Sequence, residues 1–193
     1  MPSKSYRHWR TVQASALDEI AHAHAAVGGT ARGRRYTTQQ INRVYVLLVA
    51  SKFQGFCRDL HSECVDHLVA IINPPAPMRQ LVRLEFGRGR QLDRGNAQSG
   101  SIGADFDRLG IRFWDELNGY NAATPSWRGD MDTLNHWRNA IAHEDFTSPR
   151  LGGIMNLRLA QVRLWRQSCG RLARAMDEVM RQHLRTLTGV APW

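Results

Sequence analysis

Cysteine, lysine and long apolar runs are all scarce in this chain. Three cysteines, Cys57, Cys64 and Cys169, occur among 193 residues. They are too few, and odd in number, for a disulfide framework, so a reducing compartment is expected. The most apolar run, Val44 to Ala50, is seven residues, against the roughly 20 that a membrane-spanning helix needs. The first ten residues, MPSKSYRHWR, are charged, and no apolar leader follows them. A cytoplasmic protein with no membrane partner is the expectation. The glycine-rich stretch GRGRQLDRG lacks both a preceding strand pattern and the GK[ST] ending of a phosphate-binding P-loop. No pair of short helices joined by a tight turn suggests a helix-turn-helix DNA reader.

What is abundant is arginine. The chain has 26 basic residues, of which only Lys4 and Lys52 are lysine, and a formal net charge of +9. A charge of this size raises the local concentration of polyanions such as RNA. Genome composition can produce the same arginine skew, so charge alone leaves a solvated basic surface as the alternative. The length fits one domain with a core of its own, without metal or disulfide staples, and the 42% hydrophobic content is ordinary.

Along the chain, apolar residues recur every three or four positions, the helical period. Residues 1 to 10 read as a loose tail. A first helix is predicted from about Val12 to Ala26, stopped by Gly28-Gly29 and followed by a basic linker, Arg32 to Arg35. Thr37 and Gln40 match a capping box. The apolar series Val49, Phe53, Phe56, Leu60, Cys64, Leu68 and Ile71 predicts a long helix ended by Asn73-Pro74-Pro75. A short helix over 76–86 and a mobile loop over 87–101 come next. One helix should then carry Ile102, Phe106, Leu109, Phe113 and Leu117, with a connector over 118–129. A helix from about Asp130 to His143 and a last long helix from about Asn156 to Leu187 complete the chain. The last helix sets Val162, Trp165, Cys169, Leu172, Met176, Met180 and Leu187 against an arginine face of Arg163, Arg171, Arg174, Arg181 and Arg185. Met131, Met155, Met176, Met180, Trp114, Trp127, Trp137 and Trp165 read as core or interface packing. No strand is convincing. The fold class is all-α, a bundle of four or five main helices. Residues 1–36 form a tail and short helix, 37–187 the helical domain, and 188–193 a tail.

The segment WRNAIAH, residues 137–143, carries the candidate chemistry. On a helical wheel Leu134, Trp137 and Ile141 make the core stripe. Asn139 and His143, four apart, share the opposite face, which Asp132 and His136 extend. Arg138 flanks the core, about 140° from His143 at 100° per residue. The two meet in one site only if the helix loosens, if the arginine stem wraps, or if a second chain brings another copy. Arginine is a permanently charged fork for phosphate oxygens. Histidine titrates near neutrality and serves as general acid or base. Asparagine can orient either. The plainer alternative pairs Arg138 with Asp130 or Asp132 and leaves His143 an ordinary surface residue.

LNHWRNAIAHEDF, residues 134–146, resembles the signature of the HEPN superfamily, helical domains of toxins, defence systems and RNA-processing factors. The likeness extends over about residues 37–187, between two long helices, and looks nearest to the branch associated with RidA-like proteins. It implies a metal-independent endoribonuclease of a toxin–antitoxin or antiviral defence module. The partners implied are RNA, a second copy of the chain in a homodimer, and an antitoxin or regulatory protein. Arg138 would hold the scissile phosphate, His143 would take part in acid–base chemistry or place the 2′-hydroxyl, and Asn139 would orient them. No cofactor or metal is implied. One departure is Gln54, where relatives carry an acid in the long preceding helix; Asp59 lies further on. A copy lacking that acid could instead be a non-catalytic RNA- or protein-binding scaffold, the second functional class.

Cys57, His61, Cys64 and His67 have zinc-ligand chemistry. One straight helix cannot wrap four ligands around an ion, however, and the cysteines fall in the core stripe. His22 and His24 diverge on their helix.

Overall fold

In a computed structural model of the chain, residues 1–27, 35–153 and 156–193 are described. These residues form helices and connecting turns with no strand. The α-helices are α1 (Lys4–His8), α2 (Ala14–Val27), α3 (Arg35–Ile72), α4 (Ala76–Gly87), α5 (Ser99–Asp107), α6 (Phe113–Tyr120), α7 (Thr124–His143) and α8 (Leu159–Thr188). Seven of them have eight residues or more, where the sequence suggested four or five main helices.

The 38-residue α3 is the spine. At 100° per residue the inaccessible Tyr45, Val46, Val49, Phe53, Cys57, Leu60 and Cys64 share an arc of about 120°, but Val65 and Val69, buried as well, lie outside it. Such a helix is hydrophobic on several sides because neighbours cover several sides, and α3 packs on α2, α7 and α8. Asn73, at φ 45°, ends it in the left-handed region, which asparagine tolerates better than most residues. Pro74 and Pro75 prevent its resumption. At the other end, α3 starts at Arg35, so Thr37 lies inside the first turn and is not the cap. Gly28, Gly29 and Arg32 to Arg34, to which a stop and linker were ascribed, lie outside the described residues, as does Met155.

The N-terminal ten residues are not a loose tail. The Ser3 hydroxyl caps α1 by accepting from Tyr6 N (3.0 Å), and Ser3 N donates to Asp177 of α8 (3.1 Å). Glu63 of α3 accepts from Lys4 N and from both the N–H and hydroxyl of Ser5. Trp9, 6% exposed, packs against Phe53 and Phe56, with ring centroids 5.7 and 5.9 Å away. A short π-helical stretch, Trp9–Gln13, joins α1 to α2.

Residues 87–101 are also ordered. Asp105 accepts from Gln91 N and Leu92 N (2.7 and 2.8 Å), while Leu92 and Ala97 are fully buried. The single helix expected over 102–117 is two, α5 and α6, separated at Gly110, whose φ of +80° no helix accommodates. The expected connector 118–129 is shorter, because α7 begins at Thr124, whose buried hydroxyl donates to Leu117 O (2.9 Å). On α8 the predicted stripe is buried from Val162 to Met180, but Leu187 is 57% exposed. None of the described helices is long and apolar enough to cross a membrane.

Candidate functional site

Helix α7 ends beside the loop and short 3-10 turn (Pro149–Leu151) that lead to α8, and the candidate residues cluster there. Leu134 and Trp137 anchor the helix in the core, with the Trp137 ring 6.5 Å from that of Trp165 on α8. This fixes which face looks outward. His136 and Asn139 are half-buried on that face, and His143 at its end is exposed. An open pocket of about 290 Å³ is lined by His136, Asn139, His143, Asp145, Ser148 and Arg150.

α7 remains helical through His143 and closes at Glu144, which takes the left-handed conformation at φ 52°, with Asp145 N donating back to Ala140 O (3.0 Å). The helix therefore does not loosen to swing Arg138 round. Instead the Arg138 side chain curls toward its neighbour, and Nη1 donates to Asn139 Oδ1 (3.2 Å). The same oxygen accepts from Asn96 Nδ2 (2.5 Å). With its oxygen doubly engaged, the Asn139 amide nitrogen has no protein partner among the described residues and faces the pocket as a free donor. Arg138 does not line the pocket; it touches the pocket's edge through Asn139.

Neither aspartate considered for Arg138 is its partner. Asp130 accepts from the Ser168 hydroxyl (2.6 Å), and Asp132 accepts from Ser99 N (2.8 Å), tying α7 to α8 and to the start of α5. No ion pair involves Arg138 among the described residues.

His136, Asp145, Ser148 and Arg150 line the pocket without having been among the sequence-derived candidates. His136 was recognised only as sharing the face, and Arg150 not at all; it comes from the loop, where periodicity carries no information. Burial pulls the His136 pKa below its ordinary value, the Arg150 charge adds to that, and Asp132 opposes it. The Asp145 carboxylate accepts from both the N–H and hydroxyl of Thr147, which hold its pKa down.

Gln54 sits behind the site. Its amide nitrogen donates to Leu92 O and Gly95 O (2.8 and 2.7 Å), pinning the segment whose next residue, Asn96, bonds to Asn139. Asp59 does not replace a missing acid here, since it lines a separate groove with Ser5, His8 and Trp9.

Among the described residues no three His, Cys, Asp or Glu side chains converge as metal ligands. Cys57 and Cys64 are buried, with burial pushing their thiol pKa up. His61 is enclosed in the core, and His67 bonds to Thr188 (3.2 Å). Comparison with protein-family models, with curated proteins and with solved structures finds no match.

Proposed function

We propose that the protein is a metal-independent endoribonuclease of a toxin or defence module, with the resemblance to HEPN domains supplying the reaction class. The observation that carries this is local. At the end of α7 an exposed histidine, His143, shares an open pocket with Asn139, whose carbonyl oxygen is held by Arg138 and whose amide is left free. A phosphodiester attacked by its own 2′-hydroxyl needs phosphoryl charge stabilised and protons moved at two oxygens. Arg138 and the Asn139 amide supply donors for the phosphoryl oxygens, and His143 supplies proton transfer. The net charge of +9 draws the RNA in.

Because Arg138 lies at the pocket's edge, the full site is composite. A homodimer sets two copies of the α7 face together, and each chain's arginine serves the joint cleft. A regulatory partner would act by covering this cleft.

The test is a labelled single-stranded RNA incubated with wild type and His143→Ala, each with and without EDTA. Wild type should cut RNA but not DNA, survive the chelator, and leave a 2′,3′-cyclic phosphate. The folded variant should lose about 10²–10⁴-fold in rate. Light scattering on the same sample should show a dimer; a clean 21.9 kDa monomer sinks the composite site. Cleavage that needs magnesium, or that proceeds undiminished without His143, defeats the mechanism. A second reading, a non-catalytic RNA- or protein-binding scaffold, draws on Gln54, which places an amide where the resemblance expects an acid. It is the reading left if dimeric wild type binds RNA and cuts none.

A further inference from the structure

His136 and Arg150 stand outside the trio on which the ribonuclease reading rests, yet both line the same pocket as His143. His136 and His143 are seven residues apart on α7. Two helical turns bring their side chains to nearly the same azimuth, with Cα atoms about 10.5 Å apart. Rings that project alike from these two positions keep a similar separation between their nitrogens, which suits an in-line displacement. Two hydrogen bonds of about 2.8 Å and a near-attack gap of about 3–3.5 Å together span about 9 Å, before the bond to the leaving oxygen is added. Asn139, with its free amide, lies between the two histidines.

Arg150 reaches the pocket from the loop that follows α7, a different element from the one that carries the histidines. Its 3-10 turn is anchored by Leu151, 3% exposed, and the arginine has no hydrogen bond or ion pair among the described residues. Asp145, the carboxylate that lines the pocket, is turned to Thr147. Arg150 is thus an uncommitted guanidinium facing two imidazoles and an amide.

We propose, resting on the ribonuclease reading, that His136 and Arg150 complete the nucleotide site, His136 facing the 2′-oxygen and Arg150 anchoring the phosphate within the same chain. In the reaction His136 accepts the proton of the 2′-hydroxyl as the O2′–P bond forms. His143 donates a proton to the 5′-oxygen as the P–O5′ bond breaks. The products are a 2′,3′-cyclic phosphate and a free 5′-hydroxyl, and exchange with water restores both rings. The surroundings of His136 suit its part: burial and the Arg150 charge, outweighing Asp132, pull its pKa below the ordinary value and favour the neutral ring that accepts a proton.

The test uses the full chain with isotopically labelled histidine, titrated with uridine 3′-monophosphate, beside a cleavage assay on an RNA oligonucleotide. The ring resonances of His136 and His143 should both move and saturate together. Arg150→Ala, a change at an exposed residue that leaves the core alone, should weaken nucleotide binding about tenfold or more. His136→Asn should slow cleavage about 10²-fold or more and abolish the acid limb of the pH–rate profile, a change that a merely structural role would not produce. Nucleotide binding that leaves the His136 ring unmoved, or a His136→Asn variant with wild-type rate and profile, overturns the proposal while sparing the ribonuclease reading. Wild type that cuts no RNA but moves both rings defeats that reading and supports the site. Wild type that neither cuts nor moves either ring overturns both.

Discussion

Gln54 shows how much one side-chain atom can decide. Its amide nitrogen donates to two backbone carbonyls, Leu92 O and Gly95 O, from one half-buried position. A carboxylate there would have no proton to give and would set its charge against two carbonyl dipoles. Gln54→Glu, nearly isosteric, should therefore destabilise the protein by about 2 kcal/mol, read by urea unfolding at neutral pH. Amide exchange over residues 91–97 should quicken in the variant. A variant as stable as wild type would show that these bonds hold nothing in place. The glutamine at this position thus has a structural purpose that is independent of catalysis. Sequence reasoning noted it only as an absent acid, because its acceptors lie about forty residues away in a loop. Asn139 is the complementary case. The sequence placed it on the outward face, but its orientation depends on Asn96 and Arg138, two contacts that the wheel does not contain.

At the scale of elements, the sequence was most legible where burial is one-sided or punctuation is strong. The termination of α3 at Asn73-Pro74-Pro75 and the stripe of α8 were both readable, since proline and period act locally. The N-terminal segment was not. Five residues of α1 bury little apolar area, and their order comes from Glu63 and Asp177, supplied by α3 and α8. Trp9 is its anchor. Trp9→Ala should cost about 3 kcal/mol and free α1 from the body. Urea unfolding measures the cost, and proteolytic cutting before Gln13 at native conditions reports the detachment. A Trp9→Ala protein with unchanged stability and unchanged cutting would return this segment to the status of a tail. The break between α5 and α6 was missed because apolar spacing ran through Gly110 without interruption. The period of three or four persists across a tight turn when both halves face the same core.

Considered whole, the molecule carries a built-in sensitivity to acid. His61 lies in the core, where Nε2–H donates to Asp105 O (3.2 Å) and Nδ1 is buried with no partner among the described residues. Protonation would bury an N–H without an acceptor. Burial, with a smaller push from Arg90, depresses the pKa from 6.5 to about 4. The unfolded chain binds the proton below its ordinary pKa while the folded chain still refuses it, so stability falls as pH drops through this window. It is fully present above about pH 6.5 and its loss is complete below about pH 4, a change on the order of 3 kcal/mol. Urea unfolding at pH 7.5, 5.5 and 4.5 should follow that slope, and His61→Gln should flatten it. An unaltered slope in the variant would assign the acid lability to other groups.

The sequence by itself determined the all-helical class, the positions of the long helices and the outward face of α7. Each of these follows from the period of apolar residues and from local stop signals, which act over a few positions. Tertiary structure alone decided the fastening of residues 1–13 and 87–101, the tie from Arg138 through Asn139 to Asn96, and the arrival of Arg150 in the pocket that holds His136. The reason is physical. Those features rest on single hydrogen bonds and burials between residues far apart in the chain, and a polar loop residue has no periodicity to announce its partner. A guanidinium seven residues beyond the end of α7 enters the pocket because Leu151 finds the core and turns the loop back.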